Sequence, residues 1–99
     1  MKRMMEDFLE RSGACEVSRM SYRRDLEKLF SYFENAPEKA NAKSLEIYFT
    51  HLGERFSPTS LTRHVSVVRS FYKYLLEKGV IEEDPVRDLR AASFCQKKE

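Results

Sequence analysis

Apolar residues recur along this chain at spacings of three and four, and the polar residues between them fall on the opposite side of a 3.6-residue period. Met4, Met5, Phe8 and Leu9 begin the pattern, so a first helix is expected over about residues 2–12, with Gly13 placed to end it. Tyr22, Leu26, Leu29, Phe30 and Phe33 form the clearest stripe of the first half and predict a second helix over about 17–35. Arg24 and Lys28 lie on its other side, with Ser21 beside them. Pro37 disfavours helix at the residue before it and stops the element. A third helix is expected over 42–54, capped by Asn41, with Leu45, Tyr48, Phe49 and Leu52 on its buried face and Phe56 packing as the chain turns.

The fourth helix has the firmest boundaries. Ser57 suits the N-cap, Pro58 the first helical position, and Gly79 the position just past the end. Leu61, Val65, Val68, Phe71, Tyr72, Leu75 and Leu76 make a broad apolar stripe between them. Thr59, Thr62, Arg63, Ser66, Ser70 and Lys73 point away from it, with no acid until Glu77. A face of small hydroxyls and cations is unusual for a helix that only needs to be soluble. Val80 and Ile81 continue the core, and Pro85 opens a short last helix through Val86 and Leu89. Val65, Val67 and Val68 are β-branched but sit inside a capped helical window, so no strand competes. The fold class is all-α: a compact bundle of four main helices plus a short C-terminal one. Its expected core is Phe8, Leu9, Tyr22, Leu26, Leu29, Phe30, Leu45, Phe49, Leu52, Leu61, Val65, Val68, Tyr72 and Leu75.

Ninety-nine residues suffice for one such core, and 41% hydrophobic residues exclude a disordered chain. The net charge of +2 does not by itself announce a nucleic-acid binder. Its distribution is more informative. Residues 57–79 carry Arg63, Arg69, Lys73 and Lys78 against Glu77, a local +3, while residues 80–90 carry Glu82, Glu83, Asp84 and Asp88 against Arg87 and Arg90, a local −2. An imbalance of this size fits a solvated helix face as well as a phosphate contact. Cys15 and Cys95 have no CxxC partner and no histidine cluster near them, so neither a metal nor a cofactor is expected and free thiols are the reading. Six charges in residues 1–14, and no apolar run near ~18 residues, argue against a signal peptide or membrane span and for a soluble, cytoplasmic chain.

Two stretches resemble a known family. Ser18-Arg-Met-Ser-Tyr22-Arg-Arg-Asp-Leu26, running on to Phe30 and Phe33, resembles the T-x-x-x-Y-x-x-D-L-x-x-F segment of the core-binding domain of tyrosine recombinases of the phage-integrase and Xer type. Phe56 to Gly79, containing Ser57-Pro58, Leu61-Thr-Arg63, Ser66, Arg69-Ser-Phe-Tyr72 and Leu75, is similar to that domain's S-P-x-S-I-x-R-x-L-S-x-L-R-S-F-Y-x-F-L helix. Leu45 to Leu52 looks like the family's third helix, and Ile81-Glu-Glu-Asp-Pro85-Val-Arg-Asp-Leu89 like its I-x-x-N-P-x-x-x-L exit, with Asp84 where the pattern has Asn. The four pieces lie in order and register over about residues 4–90.

The resemblance implies a SAM-like helical domain over 1–90, with 91–99 as a linker toward a catalytic domain that this stretch lacks. Such a domain clamps one face of double-stranded DNA, two helices approach the major groove, and protomers touch around the duplex. Carried over by position, the DNA-binding residues are Met20, Ser21 and Arg24 on the second helix and Thr59, Ser60 and Arg63 on the fourth. Lys73 on the same polar face joins them. Arg can hold a guanine edge or a phosphate bidentately, and Thr or Ser can donate to phosphate oxygens.

Each assignment has a plainer alternative. Arg63 could form a surface salt bridge, and Arg24 and Lys73 could pair with Asp25 and Glu77. Arg69 reads as structural, its stem packed and its head paired with an acid. Tyr22, Tyr48 and Tyr72 read as core, Tyr32 and Tyr74 are less constrained, and His51 and His64 read as helix surface. No catalytic constellation matches the family's His-x-x-Arg signature, so this stretch alone is not expected to be an enzyme, and no small-molecule substrate or membrane partner is implied. The competing reading is a helical protein-interaction module, or a DNA-binding regulator without recombinase activity.

Overall fold

Four α-helices form where the apolar stripes and caps place them: α1 (Lys2–Arg11), α2 (Glu16–Tyr32), α3 (Ala42–Arg55) and α4 (Pro58–Glu77), with a single 3-10 turn at Pro37–Lys39. The computed structural model describes residues 2–13, 15–87 and 89, and no strand occurs among them. The expected linker at 91–99 lies outside the described residues. Asn41 accepts from the Ser44 N–H at 2.8 Å and Ser57 from the Ser60 N–H at 3.3 Å, so both expected N-caps satisfy an amide that helix geometry leaves orphaned.

Helix α2 stops at Tyr32, short of the expected end at 35, because the chain turns left-handed before Pro37. Glu34 and Asn35 have φ of +54° and +64°. The Asn35 N–H donates to the Phe30 carbonyl at 2.7 Å and the Glu34 N–H to the Ser31 carbonyl at 3.4 Å, the paired bonds of a Schellman end. Helix α4 ends the same way around Gly79, with Val80 N–H to Leu75 and Gly79 N–H to Leu76. Where a short last helix was expected after Pro85, the described residues form a turn instead. Asp84 Oδ1 accepts the Val86 N–H at 3.0 Å, so the acid caps a single turn, and Val86 is buried under it.

Helix α4 packs against all three other helices and is the axis of the fold. Most of the expected core residues are fully buried, but Phe8 and Tyr22 are only partly so, at the rim. Met5, Tyr48, Val67, Phe71, Tyr74 and Val86 complete the core. Phe71 joins three elements, its ring centroid 5.5 Å from Phe8 on α1, 5.6 Å from Phe30 on α2 and 6.2 Å from Tyr74 on α4. The buried phenols find partners, as such groups must. Tyr72 donates to the Pro37 carbonyl at 2.6 Å, and Tyr74 to the Asp7 carboxylate. Tyr74 is therefore core rather than loosely constrained. Burial, then the Asp7 charge, push its hydroxyl up to about 12. The ion pair of Arg23 with Glu6 ties α2 to α1.

Candidate nucleic-acid interface

With its stripe packed inward on three sides, α4 turns its other face to solvent. Thr59, Thr62, Arg63, Ser66, Ser70 and Lys73 are all exposed, as their angular positions require. Two grooves flank this ridge. One, of about 750 Å³, is lined by Thr59, Thr62, Arg63, Ser66 and Ser70 together with Tyr22 of α2. The other takes Thr62, Ser66 and Ser70 from its far side and adds Arg69 and Lys73, with Asp84 at its edge. From Thr59 to Lys73 the ridge runs about 21 Å at the helical rise of ~1.5 Å per residue.

The structure gathers the sequence-based site residues unevenly. Thr59 and Arg63 share the first groove and Lys73 lines the second. Arg24 is exposed but lies on a different surface, beside Lys28, His51 and Arg55 between α2 and α3. Met20 is 53% exposed near the start of α2, and Ser21 is half-buried beside it. Ser60 is half-buried and engaged with the Ser57 cap through both its N–H and its hydroxyl. Neither Arg24 nor Lys73 has an ion-pair partner among the described residues, so the neighbouring Asp25 and Glu77 do not neutralise them. Arg69 donates to the Leu89 carbonyl at 3.3 Å rather than to an acid.

Arg63 does carry the salt bridge that was its alternative, though not a surface one. Its Nε and Nη2 donate to Asp25 Oδ2 and Oδ1 at 3.0 and 3.1 Å, and Asp25 is buried while the Arg63 side chain keeps 46% exposure. Behind the carboxylate sits His64, which is fully buried and not on the helix surface as its sequence setting suggested. His64 Nδ1 lies 3.3 Å from Asp25 Oδ1, within ion-pair distance but not aligned as a hydrogen bond. Its Nε2 lies 2.8 Å from the Tyr48 hydroxyl. Burial alone would push the Asp25 carboxyl up; the His64 imidazole and Arg63 guanidinium outweigh it and hold the group below the usual carboxylate range. Burial and the nearby Asp25 charge push the Tyr48 hydroxyl far above an ordinary phenol. Tyr48, His64, Asp25 and Arg63 thus form one chain from core to groove. Sequence reasoning missed it because its members come from three helices. The available signal was Asp25 itself, an acid at the edge of an apolar stripe where Leu26 and Leu29 are buried.

The arrangement can present donors and positive charge to an anionic surface. No helix among the described residues is long and apolar enough to cross a membrane.

Residues 3–79 match the family described as phage integrase, N-terminal SAM-like domain. Among curated proteins, the chain is 36% identical over 95 residues to tyrosine recombinase XerD of Rhizobium meliloti (strain 1021), covering 88% of this chain and 30% of that protein. It is 35% identical over a 102-residue alignment to tyrosine recombinase XerC of Pseudomonas putida (strain KT2440), covering 92% and 33%. Against tyrosine recombinase XerD of Caulobacter vibrioides it is 35% identical over 83 residues, covering 80% and 27%. The chain thus spans about a third of the length of these relatives. No solved structure matches it with significance.

Proposed function

This chain belongs to the phage integrase N-terminal SAM-like family, and from that premise we propose that it is the DNA-gripping domain of a site-specific tyrosine recombinase. It holds one face of a recombination-site duplex through α4 and α2, alongside other protomers, and strand cleavage falls to a catalytic domain of the same enzyme. The observation that carries this reading is the exposed ridge of α4, hydroxyls and cations without an acid, flanked by grooves on both sides. A B-DNA major groove ~12 Å wide admits an α-helix, and a ridge of about 21 Å covers roughly six base pairs. Thr59, Ser66 and Ser70 supply hydroxyls toward phosphate or base edges, Arg63 a guanidinium and Lys73 a point charge, while the Thr62 hydroxyl donates to the Pro58 carbonyl at 2.8 Å. On α2, Arg24, with Met20 and Ser21 one turn earlier, extends the footprint away from the α4 groove.

The competing protein-docking reading calls for a contiguous apolar patch. The most exposed apolar side chains are Val17 and Met20 on one turn near the start of α2, while Tyr32 lies at the far end of that helix, Ile47 on α3, and Leu76 and Val80 around the end of α4. That distribution favours a charged partner. Fluorescence anisotropy of the 99-residue chain against labelled duplex, at low and moderate salt, tests the proposal. Binding that weakens as salt rises is expected, because phosphate contacts release counterions. Absence of binding at low salt would refute it.

A further inference from the structure

The polar chain behind Arg63 does something a plain salt bridge does not. A guanidinium offers five N–H donors arranged as two usable edges. Asp25 takes the edge formed by Nε and Nη2, two donors, and leaves three. Two of those three, one on Nη1 and the second Nη2 hydrogen, form the outer edge, a fork able to hold guanine O6 and N7. The bound edge faces a buried carboxylate, while the side chain lines the α4 groove and remains nearly half exposed. Asp25 is itself held, with His64 at 3.3 Å and Tyr48 locking the imidazole from the far side at 2.8 Å.

We propose that Asp25 is a positioning residue for DNA recognition, clamping the inner edge of Arg63 so that its outer fork is presented to a guanine in a fixed orientation. The inference rests on the DNA-binding reading above and adds to it a division of labour. Asp25 cancels the charge of Arg63, so the pair contributes orientation and selectivity, and bulk attraction to phosphate is left to Lys73 and Arg24. An unclamped arginine would do the reverse: sample many rotamers, attract any phosphate, and discriminate poorly.

The test uses the 99-residue chain and a duplex library with a randomised central segment, sequencing the bound fraction and measuring affinity for the unselected pool. Wild type is expected to enrich guanine at one position. Arg63→Lys keeps the charge and the partner but has no fork, so that enrichment should fall about tenfold, with pool affinity little changed. Asp25→Asn, checked for helicity and cooperative melting, should lose the same preference while its pool affinity rises and its salt dependence steepens, since Arg63 is no longer compensated. A merely structural Asp25 would instead lower affinity for every sequence alike. Retention of the guanine preference by folded Asp25→Asn overturns the positioning role. Should Asp25→Asn fail to fold, retention of the preference by Arg63→Lys overturns it equally. If wild type binds the pool but enriches no base, the inference falls while the DNA-binding reading stands; if wild type binds no duplex at all, both fall.

Discussion

At the scale of single residues, the molecule's unusual feature is a polar chain threaded through an aromatic core. His64 is sealed between Tyr48, Phe49 and Phe56 rings, and the Tyr48 hydroxyl is its hydrogen-bond partner. In the tautomer that turns an N–H of Nδ1 toward the carboxylate, Nε2 is the acceptor of that hydroxyl. Tyr48→Phe removes the donor and strands a buried nitrogen, so it should cost about 1–3 kcal/mol, read as a lower urea midpoint with unchanged slope. An unchanged midpoint would mean that Nε2 finds another partner. Asp25 adds a pH signature. Its folded value lies below its unfolded one, so its contribution is present above the ordinary carboxylate range near pH ~4 and is lost as pH falls through the folded value. Stability of the wild type should therefore decline more steeply below about pH 4 than that of Asp25→Asn, measured by thermal melts across an acid series. Only the two ends of this chain were legible at the residue scale: Tyr48 reads as core and a salt bridge is open to Arg63, but Asp25 and His64 do not read as buried. Hydrophobic periodicity reports which side of a helix faces inward, yet it reads histidine and aspartate as solvent-seeking, and their partners lie on other helices. Tyr74 was misread for the same reason: its cover is α1, which the periodicity of α4 cannot register.

Elements were far more legible, because their boundaries are set by local chemistry. The Asn41 and Ser57 caps, Pro58 at the first helical position and the left-handed Gly13 and Gly79 all act within a few residues of themselves. Ser57→Ala should accordingly cost about 1 kcal/mol, since the N–H of Ser60 loses its acceptor and α4 is the helix every other one leans on. Thermal denaturation with a matched surface control, such as Lys43→Ala, would isolate that loss. The end of α2 was the weak point of the reading, and it is also a point of strain. Glu34 occupies the left-handed position that glycine fills at the end of α4. Glu34→Gly relieves a left-handed Cβ cost of about 1–2 kcal/mol against about 0.4–1 kcal/mol for a freer unfolded chain, so a net gain of roughly 0.5–1 kcal/mol is expected. A melting temperature that drops on this change would show that the Glu34 side chain does something the backbone account omits. Beyond Gly79 the expected short helix opened by Pro85 is only a turn among the described residues. Asp84, as an acceptor for the Val86 N–H, closes one turn there, a short-range competition that helix periodicity does not weigh.

For the molecule as a whole, α4 serves packing and recognition with opposite faces of one cylinder, and the two demands can be separated experimentally. Phe71 sits where α1, α2 and α4 meet, so Phe71→Ala should cost about 3–5 kcal/mol, much of the stability of a domain this size. Lys73 follows Tyr72 directly but points to solvent and has no ion-pair partner among the described residues, so its removal should leave the unfolding midpoint in place. Its signature is electrostatic. Among the cations of the α4 face, Arg63 is compensated by Asp25 and the Arg69 head is tethered to the neutral Leu89 carbonyl, whereas Lys73 projects from the ridge with no ion-pair partner among the described residues. A cation that neutralises one phosphate contributes about 0.9 to the slope of log affinity against log salt. Lys73→Ala should therefore flatten that slope by roughly one, weaken binding to all duplexes alike, and leave base preference intact. Anisotropy titrations between roughly 50 and 200 mM salt resolve such a change. A Lys73→Ala slope equal to that of the wild type would place Lys73 outside the footprint and shift the phosphate contacts to the Arg24 side of α2. That outcome would rotate the duplex about α4 while keeping the groove at Arg63 in contact, because Tyr22 of α2 already lines that groove.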